Sequence, residues 1–174
     1  MDQEVQKMVE NKPEAPETTV DPDLDPEEVR RNTGLYQDAY VRLGTLGIRN
    51  VADLGCGVGR FVKIMIQRGM KPQMYWGLDN NRSKIQQARK EYPGWRFTFG
   101  DMFSARAKQE FMKYDAFLMI ELLDHIEKDI ELIKSIPVGK KLVLYMPQFE
   151  GPGNIRWFES SEEAKSRYSH FIDI

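Results

Sequence analysis

Between Arg49 and Met146 the chain repeats one pattern: a short apolar run, a turn rich in glycine or acid, then a stretch with helical spacing. Arg49 to Leu54 reads as a strand stopped by glycines. Arg60 to Gln67 places Phe61, Ile64 and Met65 on one helical face, and Gly69 stops it. Gln73 to Leu78 is the second strand. Arg82 to Glu91 is a helix with Ile85 and Ala88 inward and Pro93 just past its end. Trp95 to Phe99 alternates at period two, and Tyr114 to Ile120 is apolar almost throughout. Asp124 to Ile136 reads as helical and Lys141 to Met146 as the fifth strand. Strands this apolar are buried on both faces, and strands alternating with helices predict a parallel sheet covered on both sides. Ligands in such sheets sit beyond the carboxyl ends of the strands, so the informative residues are those that follow each strand.

At 174 residues, 41% hydrophobic and 30% charged, the chain has the make-up of one soluble globular domain. No run approaches the ~18 apolar residues of a membrane span. Met1-Asp2-Gln3-Glu4 has neither the basic start nor the apolar run of a secretory signal. A single cysteine, Cys56, cannot form an internal disulfide, which agrees with a cytoplasmic location. The net charge of −2 hides an asymmetry: residues 1–30 hold ten acids and three bases, so the remaining 144 residues carry +5. Pro13, Pro16, Pro22 and Pro26 also fall in this leader. The composition predicts an acidic tail over residues 1–24 that buries too little to order itself, and a folded domain over residues 25–174. Asp25 suits a helix N-cap and Pro26 the first helical position, for a helix reaching about Arg42. A body charge of +5 is too small to argue for nucleic acid.

After the first strand comes Asp53-Leu54-Gly55-Cys56-Gly57-Val58-Gly59, and after the second Asp79, 20 positions past Gly59. Glycines let the backbone approach a ligand closely, and an acid at the second strand's end accepts from ribose hydroxyls. A dinucleotide fingerprint needs a third glycine where Arg60 stands. A carboxylate at Asp53 also repels pyrophosphate and favours a cation, such as a sulfonium bearing an α-amino group. Cys56 reads as a small buried filler rather than a nucleophile, since no basic partner is identifiable.

With these residues in order, and with Gly100-Asp101-Met102-Phe103 after strand three and Glu121-Leu122-Leu123-Asp124-His125 after strand four, the chain resembles the class I S-adenosylmethionine (SAM)-dependent methyltransferases. The resemblance covers roughly residues 36–150 and is to small bacterial or phage-type members. It implies an α/β, Rossmann-like, doubly wound and mostly parallel sheet. It implies SAM as cofactor: its methionine moiety in the loop of Asp53, Gly55, Cys56 and Gly57, its ribose at Asp79 and Asn80, and its adenine at Asp101, Met102 and Phe103. Glu121 would line the cleft between cofactor and acceptor. His125 is the candidate general base, with Glu121 and Asp124 beside it. The same three residues also resemble part of the metal site of small-RNA 3′-end 2′-O-methyltransferases, with His170 as a fourth ligand and RNA as the alternative partner.

The segment from Met146 to Phe158 follows strand five, where the family places its acceptor-facing loop. Phe149, Arg156 and Trp157 are acceptor-binding candidates there, and Tyr36 and Tyr40 on the first helix are two more. The tetrapeptide of DNA amino-methyltransferases is absent after strand four, and no recognition domain is added, so a small-molecule acceptor is expected. Only residues 147–174 follow strand five, so the family's final antiparallel hairpin is reduced to at most one strand, Ser169 to Ile174. The helix Ser160 to Arg167 precedes it. An uncovered sheet edge makes homodimerisation an expectation.

Overall fold

The computed structural model describes residues 26–48, 50–69, 71, 75–147, 150–151 and 153–171, with side chains from Gly34 onward. The acidic tail, Asp25 as a cap, and Phe149 lie outside the described residues. The chain divides into the units Met1–Asn32 and Thr33–Ile174. Of the first, only the opening turns of α1 are described; all that follows concerns the second.

The elements are α1 (Pro26–Thr45), β1 (Val51–Leu54), α2 (Arg60–Gln67), β2 (Tyr75–Asp79), α3 (Arg82–Glu91) and β3 (Phe97–Phe99). After them come α4 (Ala105–Phe111), β4 (Ala116–Ile120), α5 (Asp129–Ser135), β5 (Lys141–Tyr145) and α6 (Ser161–Tyr168). The five strands form one sheet in the order β3-β2-β1-β4-β5, each pairing parallel. The chain reverses its direction of travel across the sheet between β1 and β4, which is where α/β sheets open a ligand crevice.

The pleat sorts side chains into two cores. Ala52, Leu54, Trp76, Leu78, Phe117 and Met119 pack with Phe111, Leu132 and Tyr168 of α4, α5 and α6. Val51, Tyr75, Ala116, Leu118 and Ile120 pack with Leu43, Phe61, Val62 and Ile85 of α1, α2 and α3. Burying each large side chain contributes about 1.5–3 kcal/mol. Trp76 stacks on Tyr114 at 5.4 Å and donates its indole N–H to Thr98 Oγ1 at 2.9 Å, so its polar edge is satisfied inside the core. Gly77 is the point of closest packing on the opposite face. A Cβ there would stand 2.7 Å from Cys56 Sγ and 2.8 Å from both Phe97 Cδ1 and Tyr75 Oη.

The sequence-based elements hold in kind and order, with differences: β1 starts at Val51 rather than Arg49 and β4 at Ala116 rather than Tyr114. The helix α4 goes unread in the sequence, because its seven residues bury only Ala107 and Phe111. The third strand starts at Phe97 rather than Trp95. The helix expected from Asp124 begins at Asp129, and residues 124–128 form turns instead. After α6 the described residues Ser169–Phe171 form a turn, with no strand. The helices α2 and α3 match their expected bounds; Asn81 caps α3 by accepting from the Lys84 N–H at 3.1 Å.

Candidate active site

The loop after β1 is stitched to the end of β2. The N–H groups of Gly55 and Cys56 donate to Leu78 O at 2.8 and 3.3 Å. The Gly57 N–H donates to Asp79 Oδ2 at 2.8 Å and the Asn81 N–H to Oδ1 at 2.7 Å, so Asp79 fixes both the glycine loop and the start of α3. Gly55 has φ 75°, and a Cβ on it would lie 2.8 Å from Leu122 Cδ1. That close approach brings the loop of β1 against the loop of β4, at the switch point.

Asp53 ends this strand on the α1–α3 face, only 3% exposed. The Tyr75 hydroxyl donates to its Oδ2 at 2.8 Å. Burial pushes its carboxyl up to about 7; the Asp79 charge adds to the rise and the Tyr75 hydrogen bond opposes it. Among the described residues neither Asp53 nor Asp79 has an ion-pair partner. Cys56 is buried beside them, and burial first, then the two carboxylates, push its thiol far up, which makes it packing and not a nucleophile.

Tyr36 of α1 reaches the same point. Burial and then the Asp53 charge push its hydroxyl up; Arg60 hydrogen-bonds it from the start of α2, and Glu121 adds its charge. Tyr40, one turn along, instead faces Arg68, whose guanidinium carbon lies 5.9 Å from the ring centroid. The helix thus sends one tyrosine to the site and the other to the α2 terminus. Asn80 is exposed at the tip of the β2 turn. Asp101 is exposed after β3, and its Oδ1 accepts from the Phe103 N–H at 2.8 Å. The side chain of Met102 belongs to the core, so only its backbone can serve a ligand. Phe103 is half-buried beneath the Lys128 ammonium, 5.9 Å from the ring centroid.

At the end of β4, Glu121 has φ 49°, the one non-glycine residue with positive φ among the described residues. Its N–H donates to Tyr145 O at 2.9 Å. Such a conformation costs about 1–3 kcal/mol and clusters at functional sites. Asp124 is 1% exposed; its Oδ1 has no hydrogen-bond partner and its Oδ2 lies 3.4 Å from His125 Nε2. Burial holds the Asp124 carboxyl above its ordinary value, against its own backbone N–H, His125 and Arg156. His125 Nδ1 lies 2.9 Å from Gly153 O, so Nδ1–H is the donor there. Both ring nitrogens therefore face protein groups.

Sequence reading places Arg156 toward an anionic acceptor, and the structure places it elsewhere. Its guanidinium donates to the carbonyls of Leu123 and Ile126 and lies 3.4 Å from Asp129 Oδ1. Those carbonyls would otherwise serve a helix through Asp124, which explains why α5 starts late. Asp129, 1% exposed, also takes Arg167 through two bonds of 2.7 and 3.0 Å and the Tyr168 hydroxyl at 2.9 Å. The Ile155 N–H donates to Asp124 O at 2.8 Å. The 153–158 segment is thereby riveted to the loop after β4. Trp157 is 40% exposed on it, while Phe158 is buried against Tyr168. Among the described residues no three His, Cys, Asp or Glu side chains gather as a metal site, and His170 packs beside Phe171 at the end of α6. Tyr75, Arg60 and Asp129 carry the site without a motif to announce them. The available signals were Arg60 following the glycine loop and Tyr75 two residues before Gly77.

Known proteins fall on the same ground. Residues 51–136 match the model of the family described as "Methyltransferase domain". The trans-aconitate 2-methyltransferase of Rhizobium leguminosarum bv. trifolii is 30% identical over 112 residues, 64% of this chain and 43% of that one. The enzyme of the same name from Acidovorax sp. strain JS42 is 37% identical over 54 residues, 31% of this chain and 20% of that one. The chain thus spans less than half the length of these curated relatives. Among solved structures, magnesium protoporphyrin IX methyltransferase of Synechocystis with bound SAH superposes with TM-score 0.58 at 17% identity, covering 80% of this chain and 72% of that one. A SAM-dependent methyltransferase of Archaeoglobus fulgidus gives TM-score 0.54 at 17% identity, covering 78% and 68%. The methyltransferase domain of bacterial CtHen1 gives 0.63 at 15% identity, covering 80% and 82%. Sheet order, glycine loop and family match agree: residues 51–136 are a methyltransferase domain, on the fold of the class I SAM-dependent methyltransferases.

Proposed function

We propose that this chain binds SAM and transfers its methyl group to a small-molecule acceptor by in-line displacement. The observation that carries the reading is Asp53, a buried carboxyl poised at about 7 beside Asp79, with no cation paired to either among the described residues. Such a pair fits a ligand that brings positive charge and ribose hydroxyls together. When bound, SAM supplies a methyl on a positively charged sulfur, which an acceptor lone pair takes as the C–S bond breaks and the sulfur leaves neutral.

Asp53 would accept from the α-amino end, and Gly55, Cys56 and Gly57 would let it approach the backbone. Asp79 would take the ribose hydroxyls while keeping its grip on Gly57. Asp101, the Met102 backbone and Phe103 would hold the adenine. Tyr36, Arg60 and Glu121 would close the acceptor side. His125, held between Asp124 and Gly153, would fix the walls of the cleft rather than take a proton from the acceptor. Arg156 would act on the acceptor only through the loop it holds.

The named activity of the curated relatives makes trans-aconitate and other small carboxylic acids the first acceptors to try. The test is methyl transfer from labelled SAM to that panel, with total RNA as a parallel arm. Label on a small acid supports the proposal. Label on RNA alone overturns the acceptor class, and SAM binding without transfer to anything makes the chain a cofactor-binding module.

A further inference from the structure

Tyr75 and Gly77 lie two residues apart on β2, so they face the same side of the sheet, and Gly77 pairs with Asp53 across the ladder. The Tyr75 ring extends past Gly77, and its hydroxyl donates to Asp53 Oδ2 at 2.8 Å. Glycine leaves that passage open: a Cβ at 77 would stand 2.8 Å from Tyr75 Oη and 2.7 Å from Cys56 Sγ. Aromatic neighbours fix the ring. Phe61 of α2 lies 6.5 Å away between centroids, Phe97 of β3 meets it edge-on at 5.6 Å, and Trp95 does so at 5.7 Å. Tyr75 is only 1% exposed. A hydroxyl buried this deep costs free energy unless it is bonded, and a phenylalanine would fill the same space. The use of the hydroxyl is therefore its bond to Asp53.

Other titratable groups face Asp53. Asp79, at the end of β2, favours the protonated form, as burial does more strongly, and the Tyr75 bond opposes both. The Cys56 thiol lies beside the two carboxylates in the glycine loop. From α1 comes the Tyr36 hydroxyl, which Arg60 of α2 hydrogen-bonds and which the Glu121 charge after β4 also reaches. Among the described residues, Tyr75 is the group that hydrogen-bonds the Asp53 side chain.

We propose that Tyr75 is a positioning residue for the cofactor: its hydroxyl, passed through the gap at Gly77, holds the Asp53 carboxylate in place for the α-ammonium of SAM. The proposal rests on the SAM reading above. Because the bond favours the charged form, it also keeps Asp53 available near neutral pH, against burial and Asp79.

The test uses the full chain, Tyr75→Phe, Asp53→Asn and the double variant, with S-adenosylhomocysteine (SAH) as the probe because it keeps the α-ammonium. In the ligand-free chain, NMR follows the Asp53 carboxyl carbon against pH, its signal being the one missing from Asp53→Asn. It should titrate at about 7 in the parent, and in Tyr75→Phe it should hold its proton about tenfold more tightly. Calorimetry should show SAH affinity reduced about fivefold at about pH 7 and less than about twofold at about pH 8.5. A role in packing alone would lower affinity equally at both. In the Asp53→Asn background, Tyr75→Phe should change affinity by less than about twofold. Should Tyr75→Phe not fold, Gly77→Ala displaces the same hydroxyl and serves in its place. No SAH binding to the parent overturns the SAM reading, while the ligand-free titration still decides the bond. SAH binding to the parent with an unmoved Asp53 titration, an equal loss at both pH values, or the same loss in the Asp53→Asn background overturns the role of Tyr75.

Discussion

Asp53 sits where its charge is expensive. Its folded value of about 7 stands above the ordinary 3.8, because burial and Asp79 both disfavour ionisation. The unliganded fold therefore holds this proton more tightly than the unfolded chain. Its contribution to stability is greatest below 3.8 and is lost as pH rises through about 7. Asn in its place should remove that slope from a stability-versus-pH curve. Gly77 fails differently: its alanine variant pushes a methyl into Cys56, Phe97 and the Tyr75 hydroxyl that holds Asp53. Gly77→Ala should cost about 1–3 kcal/mol in denaturant unfolding and disturb the cofactor site as well. Of these residues, the motif glycines and acids were legible because they follow strands. Tyr75 was not, since a tyrosine inside an apolar strand carries no mark of the carboxylate on the neighbouring strand.

At the scale of elements, α2 and α3 could be bounded from sequence because caps and stops flank a clear apolar face. The turns at residues 124–128 could not, because what replaces the helix there is Arg156, some thirty residues on. Arg156→Ala should leave Leu123 and Ile126 carbonyls without that donor and cost about 2–3 kcal/mol. Its kinetic signature should be a raised acceptor KM with SAM affinity little changed, and Arg156→Lys should restore part of it. Asp129 gives the same rivet an acid limit. Burial alone would raise its carboxyl, but hydrogen bonds from Arg167 and Tyr168, together with the backbone and Arg156, hold it below its ordinary value. That stability is present above 3.8 and lost as pH falls through the lower folded value. Asp129→Asn should flatten the acid limb of a thermal-melt series.

Across the whole Thr33–Ile174 unit, β1, β2 and β4 were readable because both their faces are buried, and β3 and β5 from their apolar runs between helices. The cores on the two faces share those strands. Phe61→Ala on the α2 side and Phe117→Ala on the α4 side should therefore each cost about 3–5 kcal/mol in one cooperative denaturant transition.

What joins these scales is the claim that the fold keeps a carboxyl buried and half-protonated near neutrality until a cationic ligand takes it. Calorimetric titration of SAM from about pH 5.5 to 8.5, in the parent and in Asp53→Asn, measures this directly. The account predicts affinity that rises with pH through about 7 and a proton released on binding. In the variant it predicts a loss of about tenfold to a hundredfold with the pH dependence gone. Equal affinity in parent and variant, or heat with NAD and none with SAM, would contradict it.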